Sequence, residues 1–137
     1  MTSIDDARLE EMLAAAREVR ARAYVPYSGF HVGAALLAGD EIFTAVNVEN
    51  ASYPLSVCAE RNAIAKAIAA GSTDIRAVVV VSDADTPTPP CGGCRQVLRE
   101  FGNGIAVIAE SADGSKRTFW SIDELLPHAF GPDDFQP

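Results

Sequence analysis

The three cysteines of this chain place the strongest constraint on its fold. Cys58 stands alone, Cys91 and Cys94 form a Cys-x-x-Cys pair, and these are all the cysteines of the sequence. A catalytic zinc site uses three protein ligands and leaves a fourth position to water, whereas a structural site normally uses four. The pattern therefore predicts a zinc site with one open position, for which the fold must bring Cys58 to the Cys91–Cys94 pair.

Glu60, two residues after Cys58, adds a carboxylate to this prediction. Bound zinc lowers the pKa of its water toward neutrality, and a nearby carboxylate can then move the protons. Three cysteines, a glutamate that is not a ligand and a Pro-Cys-x-x-Cys cluster are one arrangement of the zinc-dependent nucleobase deaminases. Pro90 completes that cluster here, and it also fixes the entry to the ligand loop.

Other interpretations of the same residues remain open. An isolated Cys-x-x-Cys could be a redox pair or half of a structural zinc site, and Glu60 could be an ordinary acidic residue in the first turn of a helix. His31 and His128 could complete a four-ligand site, but neither has the usual short spacing from a cysteine. We predict a strand position for His31 and a solvated helix position for His128. The odd cysteine count argues against a disulfide framework.

The composition limits the classes of function. At 137 residues, 48% of them hydrophobic, the chain suits one domain over 1–137. Eleven basic and nineteen acidic residues give a net charge of −8, which disfavours a nucleic-acid partner because phosphate contacts need Lys and Arg. There is no apolar run of membrane-spanning length, and the acidic N-terminus does not resemble a signal peptide. We therefore expect a cytoplasmic protein with no membrane partner.

The order of predicted elements indicates the fold class. The predicted elements are a helix capped by Ser3 and Asp6 that ends before Pro26, strands at 31–38 and 41–48, a helix at 59–70, a strand at 76–82, a helix at 91–101, strands at 105–109 and 116–120, and a short last helix. Ser121 and Glu124 form the capping box of this last helix, which is either broken by Pro127 or ended by the Gly-Pro pair at 131–132. The four valines within 76–82 are typical of a strand covered on both faces. The class is therefore α/β, with a mixed sheet of about five strands in a three-layer α/β/α domain.

Several residues near the cysteines have two interpretations each. Arg61 either donates hydrogen bonds to a thiolate sulfur or makes a surface ion pair, and the sequence favours neither. The glycines at 92–93 either allow a tight turn between the ligands or are plain loop residues. Asn47 and Glu49 lie on one face where a strand ends, and an amide with a carboxylate suits sugar hydroxyls. From these residues alone, solvent-facing strand positions are the simpler interpretation.

Five segments of the chain together resemble one known family. They are Tyr-Val-Pro-Tyr-Ser-Gly-Phe-His-Val-Gly-Ala-Ala at 24–35, Asn-Val-Glu-Asn at 47–50, Cys-Ala-Glu-Arg at 58–61, Pro-Cys-Gly-Gly-Cys-Arg-Gln-Val at 90–97 and Leu-Leu-Pro-His-Ala-Phe-Gly-Pro at 125–132. In order and approximate spacing they are similar to the small, homotetrameric zinc-dependent cytidine deaminases. The resemblance covers nearly the whole chain.

This resemblance implies a fold, a reaction and a set of site residues. The reaction is hydrolytic deamination of cytidine and 2′-deoxycytidine to uridine and 2′-deoxyuridine, with release of ammonia, as in pyrimidine salvage. The implied residues are Cys58, Cys91 and Cys94 at zinc, Glu60 as proton shuttle, Asn47 and Glu49 at the ribose, the Ala59 N–H at the pyrimidine, Phe30 against the base, and Tyr53 and Phe130 around the pocket. A homotetramer with active sites near subunit interfaces is expected.

Three rival functions are weighed against this one. A deaminase of the same class could act on another aminopyrimidine nucleoside, such as an aminoacyl-nucleoside antibiotic, but the residues at 47–49 and 130–132 favour plain nucleosides. Glu60 and the missing fourth ligand argue against a non-catalytic zinc-binding or interaction domain. The acidic charge disfavours polynucleotide editing.

Overall fold

A computed structural model describes residues 4–135, and its elements follow the predicted order. The elements are α1 (Asp6–Arg20), β1 (Val32–Ala38), β2 (Glu41–Val46), a 3₁₀ turn (Tyr53–Leu55), α2 (Ala59–Ala69), β3 (Ile75–Ser82), α3 (Gly92–Arg99), β4 (Ala106–Glu110), β5 (Arg117–Ser121), α4 (Ile122–Leu125) and a second 3₁₀ turn (Pro132–Phe135). Within residues 4–135, no helix combines the length and the apolar character that crossing a membrane requires.

The five strands form one mixed sheet in the order β2-β1-β3-β4-β5. The pair β1–β2 is the predicted hairpin, with Ala38 opposite Glu41, and β1 is also antiparallel to β3. β3 and β4 are parallel, whereas β4 and β5 are antiparallel. A parallel pair needs a crossover connection, and α3 lies in the segment that crosses from β3 to β4. The predicted mixed sheet is confirmed.

Helices cover both faces of the sheet, which confirms the three-layer architecture. On one face α1 buries Leu9, Met12, Leu13 and Ala16 against a cluster that includes Ala35, Leu37, Val79, Val81 and Ile108. On the other face α2 and α3 bury Ala63, Ile64, Ala67 and Leu98 against Leu36, Val78, Val80 and Val107. Adjacent valines of β3 therefore pack into opposite layers, because side chains of a strand alternate between faces.

At Gly33 the backbones of α1 and β1 approach each other closely. A Cβ atom added to Gly33 would lie 2.2 Å from the backbone oxygen of Ala16 and 3.0 Å from the backbone nitrogen of Arg20. Both neighbours are helix backbone atoms, which cannot rotate away as a side chain could. Glycine at this position therefore sets how near the helix can lie to the sheet.

Several predicted boundaries and local roles need correction. The cap of α1 is Asp5, whose carboxylate accepts the Arg8 N–H at 2.7 Å, while the predicted cap Ser3 lies outside the described residues. His31 precedes β1 instead of lying within it. His128 is exposed as predicted but is not helical, since it follows Pro127 and has a φ of 54°. Proline disfavours helical backbone in the residue before it, so α4 ends early.

Candidate active site

Two helix starts bring the three thiols together. Cys58 is the N-cap of α2, Cys91 is the N-cap of α3, and Cys94 is buried in the first turn of α3. The Sγ atoms of Cys58 and Cys91 are 3.8 Å apart, those of Cys91 and Cys94 are 3.5 Å apart, and all three lie within 4.8 Å of one another. The predicted convergence and the predicted helix starts are confirmed.

The spacing of the thiols fits a zinc ion. Tetrahedral zinc with Zn–S bonds of about 2.3 Å places its sulfur ligands about 3.8 Å apart. The positive ends of α2 and α3 also favour thiolates over thiols. Within residues 4–135 the group of side chains able to hold a metal consists of Cys58, Cys91 and Cys94. A tetrahedral zinc ion held by these three thiols would have one position open for water or substrate. His31 is engaged elsewhere, because its Nδ1 lies 2.8 Å from Asp83.

Gly92 and Gly93 are not needed for a tight turn between the ligands. Both belong to the regular first turn of α3. A Cβ atom on Gly92 would have no atom within 4 Å, and one on Gly93 would only reach ordinary contact with the Cys91 Sγ, at 3.9 Å. The two predicted interpretations of these glycines, a tight turn and plain loop residues, are therefore both wrong, because the glycines are helical.

Arg61 lies beside the Cys58 sulfur. Its Nη2 donates a hydrogen bond to the Cys58 Sγ at 3.7 Å, and its buried Nε has no hydrogen-bond partner within the described part of the chain. Hydrogen bonds from the Cys94 thiol and from Arg61 lower the pKa of Cys58 to about 5. Of the two interpretations that the sequence leaves open, this geometry favours the hydrogen bond to sulfur over the surface ion pair.

Glu60 is held in the protein interior next to the thiols. It is the second residue of α2 and only 5% of its surface is exposed. Burial, followed by the negative charge of Cys58, raises the pKa of Glu60 above its ordinary value. A carboxyl group with a raised pKa is suited to exchanging protons near neutral pH. The position and environment of Glu60 thus support its predicted role.

Asn47 braces the loop that carries Phe30. Its Nδ2 donates to the Phe30 carbonyl at 2.9 Å, and its Oδ1 accepts the Val32 N–H at 2.9 Å. A solvent-facing strand position would show neither bond. The side chain of Asn47 therefore sets the backbone on both sides of His31, a role that sequence reasoning missed.

Glu49 and Tyr53 meet in one cavity. Together with Tyr27, Ser28 and Ser56 they line an open cavity of about 330 Å³. The Glu49 carboxylate accepts the N–H groups of Tyr27 and Ser28, each at 3.1 Å, and the Ser28 hydroxyl. Tyr53 is 70% exposed and its ring packs edge-on against Tyr27 with centroids 5.7 Å apart. The cavity thus combines an anionic acceptor with two aromatic walls.

Comparison with known proteins settles the family. The family model described as the cytidine and deoxycytidylate deaminase zinc-binding region matches residues 6–110. The chain belongs to this deaminase family. It is 43% identical over 128 residues to a cytidine deaminase of Sporosarcina psychrophila, covering 92% of this chain and 93% of that relative. It is 45% identical over 119 residues to a cytidine deaminase of Halalkalibacterium halodurans, covering 85% and 89%.

Solved structures of cytidine deaminases share the fold. The structure of the Burkholderia pseudomallei enzyme has a TM-score of 0.84 at 42% identity and covers 88% of this chain and 98% of that one. The structure from Mycobacterium leprae has a TM-score of 0.75 at 37% identity, with 90% and 100% covered. The predicted cytidine deaminase-like fold is confirmed.

Two further deaminase-site predictions concern backbone near the ligands. Ala59 is the first residue of α2 and is fully buried, and the first N–H groups of a helix have no carbonyl partner within it. The Pro90 carbonyl accepts the Nε of Arg95 at 2.8 Å, and Arg95 also donates to the Leu125 carbonyl at 2.8 Å. Arg95 therefore ties the ligand loop to α4, although the sequence offered no sign of this role beyond its place in the motif.

Phe130 lies near α3 in the C-terminal part of the deaminase chain. Its ring is 57% exposed and packs edge-on against Phe135, with centroids 5.4 Å apart. Its carbonyl accepts the Nε2 of Gln96 at 2.8 Å, so the segment is tied to the helix that carries Cys94. The predicted contact of Phe130 with the pocket stays a prediction.

Proposed function

We propose that this chain, as one domain over 1–137, catalyses the hydrolytic deamination of cytidine and 2′-deoxycytidine to uridine and 2′-deoxyuridine, with release of ammonia, as a step of pyrimidine salvage. The observation that carries the proposal is the buried Glu60 beside three converging thiols in a chain of this deaminase family. The relatives from Sporosarcina psychrophila and Halalkalibacterium halodurans are named cytidine deaminases.

The chemistry divides between the thiol cluster and Glu60. Zinc held by Cys58, Cys91 and Cys94 would supply an activated water for attack on C4 of the cytosine ring. Glu60 takes one proton of the attacking water at its carboxylate and delivers it to ring N3. It then takes the proton of the hydroxyl group formed at C4 and delivers it to the amino nitrogen, so that the bond between C4 and this nitrogen breaks and ammonia leaves. Burial suits Glu60 to this work because it keeps bulk water from competing for the proton. Arg61 offsets part of the thiolate charge through its bond to Cys58.

We assign the sugar to Asn47 and Glu49. The amide nitrogen of Asn47 keeps one hydrogen after its bond to Phe30, and an ionised carboxylate offers about four acceptor sites, of which Glu49 uses three within the chain. One donor and one acceptor therefore remain for a ribose hydroxyl. The Ala59 N–H would bind the pyrimidine, and Phe30, which is 37% exposed, would pack against the base.

We further propose a homotetramer in the cytoplasm with active sites near subunit interfaces. In the single chain three aromatic side chains are each at least half exposed, namely Tyr53, Tyr27 and Phe130. Aromatic residues that are exposed in a single chain are typical of surfaces that become buried when subunits associate. Light scattering coupled to gel filtration would give about four times the chain mass of 14.5 kDa. A monomer with full activity would contradict the assembly but leave the reaction untouched.

The experiment that tests the reaction is ammonia release, with the matching ultraviolet change, from cytidine, deoxycytidine, free cytosine and adenosine. We expect turnover of both cytosine nucleosides, little with free cytosine, and a loss of several orders of magnitude in Glu60→Gln with zinc retained. Glu18→Gln, at an exposed position of α1, is the matched control and should turn over like the wild type.

Two results would contradict the proposal in different ways. A folded, zinc-loaded wild type that releases no ammonia from either cytosine nucleoside would contradict the substrate and favour another aminopyrimidine nucleoside or a non-catalytic role. Activity retained in Glu60→Gln would contradict the proton-transfer role alone.

A further inference from the structure

Asp83 makes a close contact with His31 that the zinc site and the proposed sugar contacts do not use. Its Oδ2 accepts the backbone N–H of His31 at 2.8 Å and lies 2.8 Å from the His31 ring Nδ1. Because a carboxylate can only accept hydrogen bonds, Nδ1 must be the donor. One oxygen of Asp83 therefore holds both the backbone and the ring of the residue after Phe30.

The hydrogen bonds of this loop interlock around Phe30. Asn47 donates a hydrogen bond to the Phe30 carbonyl and accepts one from the Val32 N–H. Between these two groups in the chain, the His31 N–H donates to Asp83. The Phe30 N–H is taken by the Ser28 hydroxyl at 3.0 Å. The backbone around Phe30 is thus held by side chains from several directions.

Asp83 is itself held in place. It follows Ser82, the last residue of β3, which pairs with Val32 in the sheet. Arg20 donates to the Ser82 carbonyl at 2.7 Å, and its Nε lies 4.0 Å from the Asp83 Oδ1. Partial burial raises the pKa of Asp83, but the hydrogen bonds from His31 outweigh this effect and lower it below its ordinary value. The carboxylate is therefore ionised at neutral pH, and its orientation is set by the two contacts with His31.

We propose that Asp83, acting through His31, is a positioning residue that fixes Phe30 for contact with the cytosine base. The inference rests on the proposed function, since it needs Phe30 to face the base. It also gives the end of β3 a role, because the chain continues from Asp83 through the 83–90 loop to the ligand Cys91. The segment at 83–90 then both positions the Phe30 side chain and leads the chain into the zinc site.

The test is steady-state kinetics with cytidine on Asp83→Ala and Asp83→Asn. Loss of the acceptor frees the His31 backbone, and we expect Asp83→Ala to raise KM about five- to tenfold, the net worth of an ordinary hydrogen bond. Its kcat and zinc content should stay within about twofold, because a contact made equally in ground and transition states changes KM alone. Asp83→Asn keeps an acceptor oxygen and should restore KM to within about twofold of wild type.

The matched control is Asp5→Ala. Asp5 also accepts a backbone N–H, from Arg8, but it lies beside Leu37 and Asp40, at the opposite end of β1 from Val32. It should lower the melting temperature without a change in KM. His31→Ala removes the ring contact and keeps the backbone bond, so its KM should rise about twofold to threefold, and it makes the test independent of any folding defect in Asp83→Ala.

Hydrogen exchange gives a second readout, since the His31 amide should exchange about tenfold faster in Asp83→Ala while amides in the middle of β1 keep their protection. An unchanged KM in both Asp83→Ala and His31→Ala would overturn the inference, as would a fall in kcat with KM unchanged. In either case wild-type turnover of cytidine would leave the proposed function standing. Absence of turnover by the wild type would instead overturn the proposed function, and this inference with it.

Discussion

Substitution of Gly33 by alanine tests the packing that brings α1 onto the sheet. The added Cβ would stand 2.2 Å from the Ala16 carbonyl oxygen and 3.0 Å from the Arg20 nitrogen. An ordinary carbon–oxygen contact needs more than about 3 Å, so α1 would have to move by about 1 Å. Because Leu13 and Ala16 are fully buried under the same helix, that movement opens space elsewhere in the layer.

The size of the effect follows from this geometry. Adding one carbon to a well-packed core typically costs 1–3 kcal/mol, and the clash here is with helix backbone, so we expect about 3 kcal/mol for Gly33→Ala. For a chain of this length 1 kcal/mol changes the melting temperature by about 3–4 °C. The predicted fall is therefore about 10 °C.

The assay is thermal unfolding followed by circular dichroism, on zinc-loaded proteins at equal concentration and with the assembly size checked by gel filtration. Gly92→Ala is the control, because its added Cβ meets no atom within 4 Å and alanine is a better helix former than glycine; it should be neutral or stabilise by up to about 1 kcal/mol. A melting temperature of Gly33→Ala within about 2 °C of wild type would refute the reasoning.

Two further predictions concern the charged groups. Hydrogen bonds from Arg17 and Arg117 outweigh the raising effect of burial and lower the pKa of Glu110 below its ordinary 4.5, so its stabilising contribution is present above that value and lost as pH falls through the folded pKa. Urea unfolding should show that Glu110→Gln is about 2 kcal/mol less stable than the wild type at pH 7. This difference in the free energy of unfolding should shrink below about pH 4.5. A difference that stays constant down to pH 3 would contradict the pairing of Glu110 with the two arginines. Arg61→Gln removes the donor to the Cys58 sulfur and should weaken zinc binding about tenfold in a chelator competition, whereas unchanged affinity would favour a surface role for Arg61.

Much of the fold was predictable because its signals are local. The valine run of β3 and the Ser121–Glu124 capping box both appear where predicted, since strand burial and helix capping depend on residues a few positions apart. The errors arose where neighbouring residues offered the same kind of signal, such as two possible helix caps. Asp5 caps α1, although Ser3 was the predicted cap. The predicted break at Pro127 is confirmed, since α4 ends at Leu125, and the helical position predicted for His128 is therefore wrong.

The candidate site also contains residues that the sequence identifies and residues whose contacts only the structure shows. The cysteines and Glu60 were identifiable because zinc chemistry demands particular side chains at short spacings. The loop contacts of Asn47, Glu49 and Asp83 were not, because each of them is a side-chain hydrogen bond to backbone from a distant part of the chain. Such a bond leaves no repeating pattern in the sequence.

The sequence by itself determined the order of helices and strands, the metal-binding side chains and the family. Only the tertiary structure decided that Gly33 sets the approach of α1, that Arg61 points at sulfur, and that Asp83 reaches the loop around Phe30. The physical reason is that secondary structure and ligand type follow from neighbouring residues. Close approach and hydrogen-bond partnership instead depend on which distant segments the packed sheet brings together.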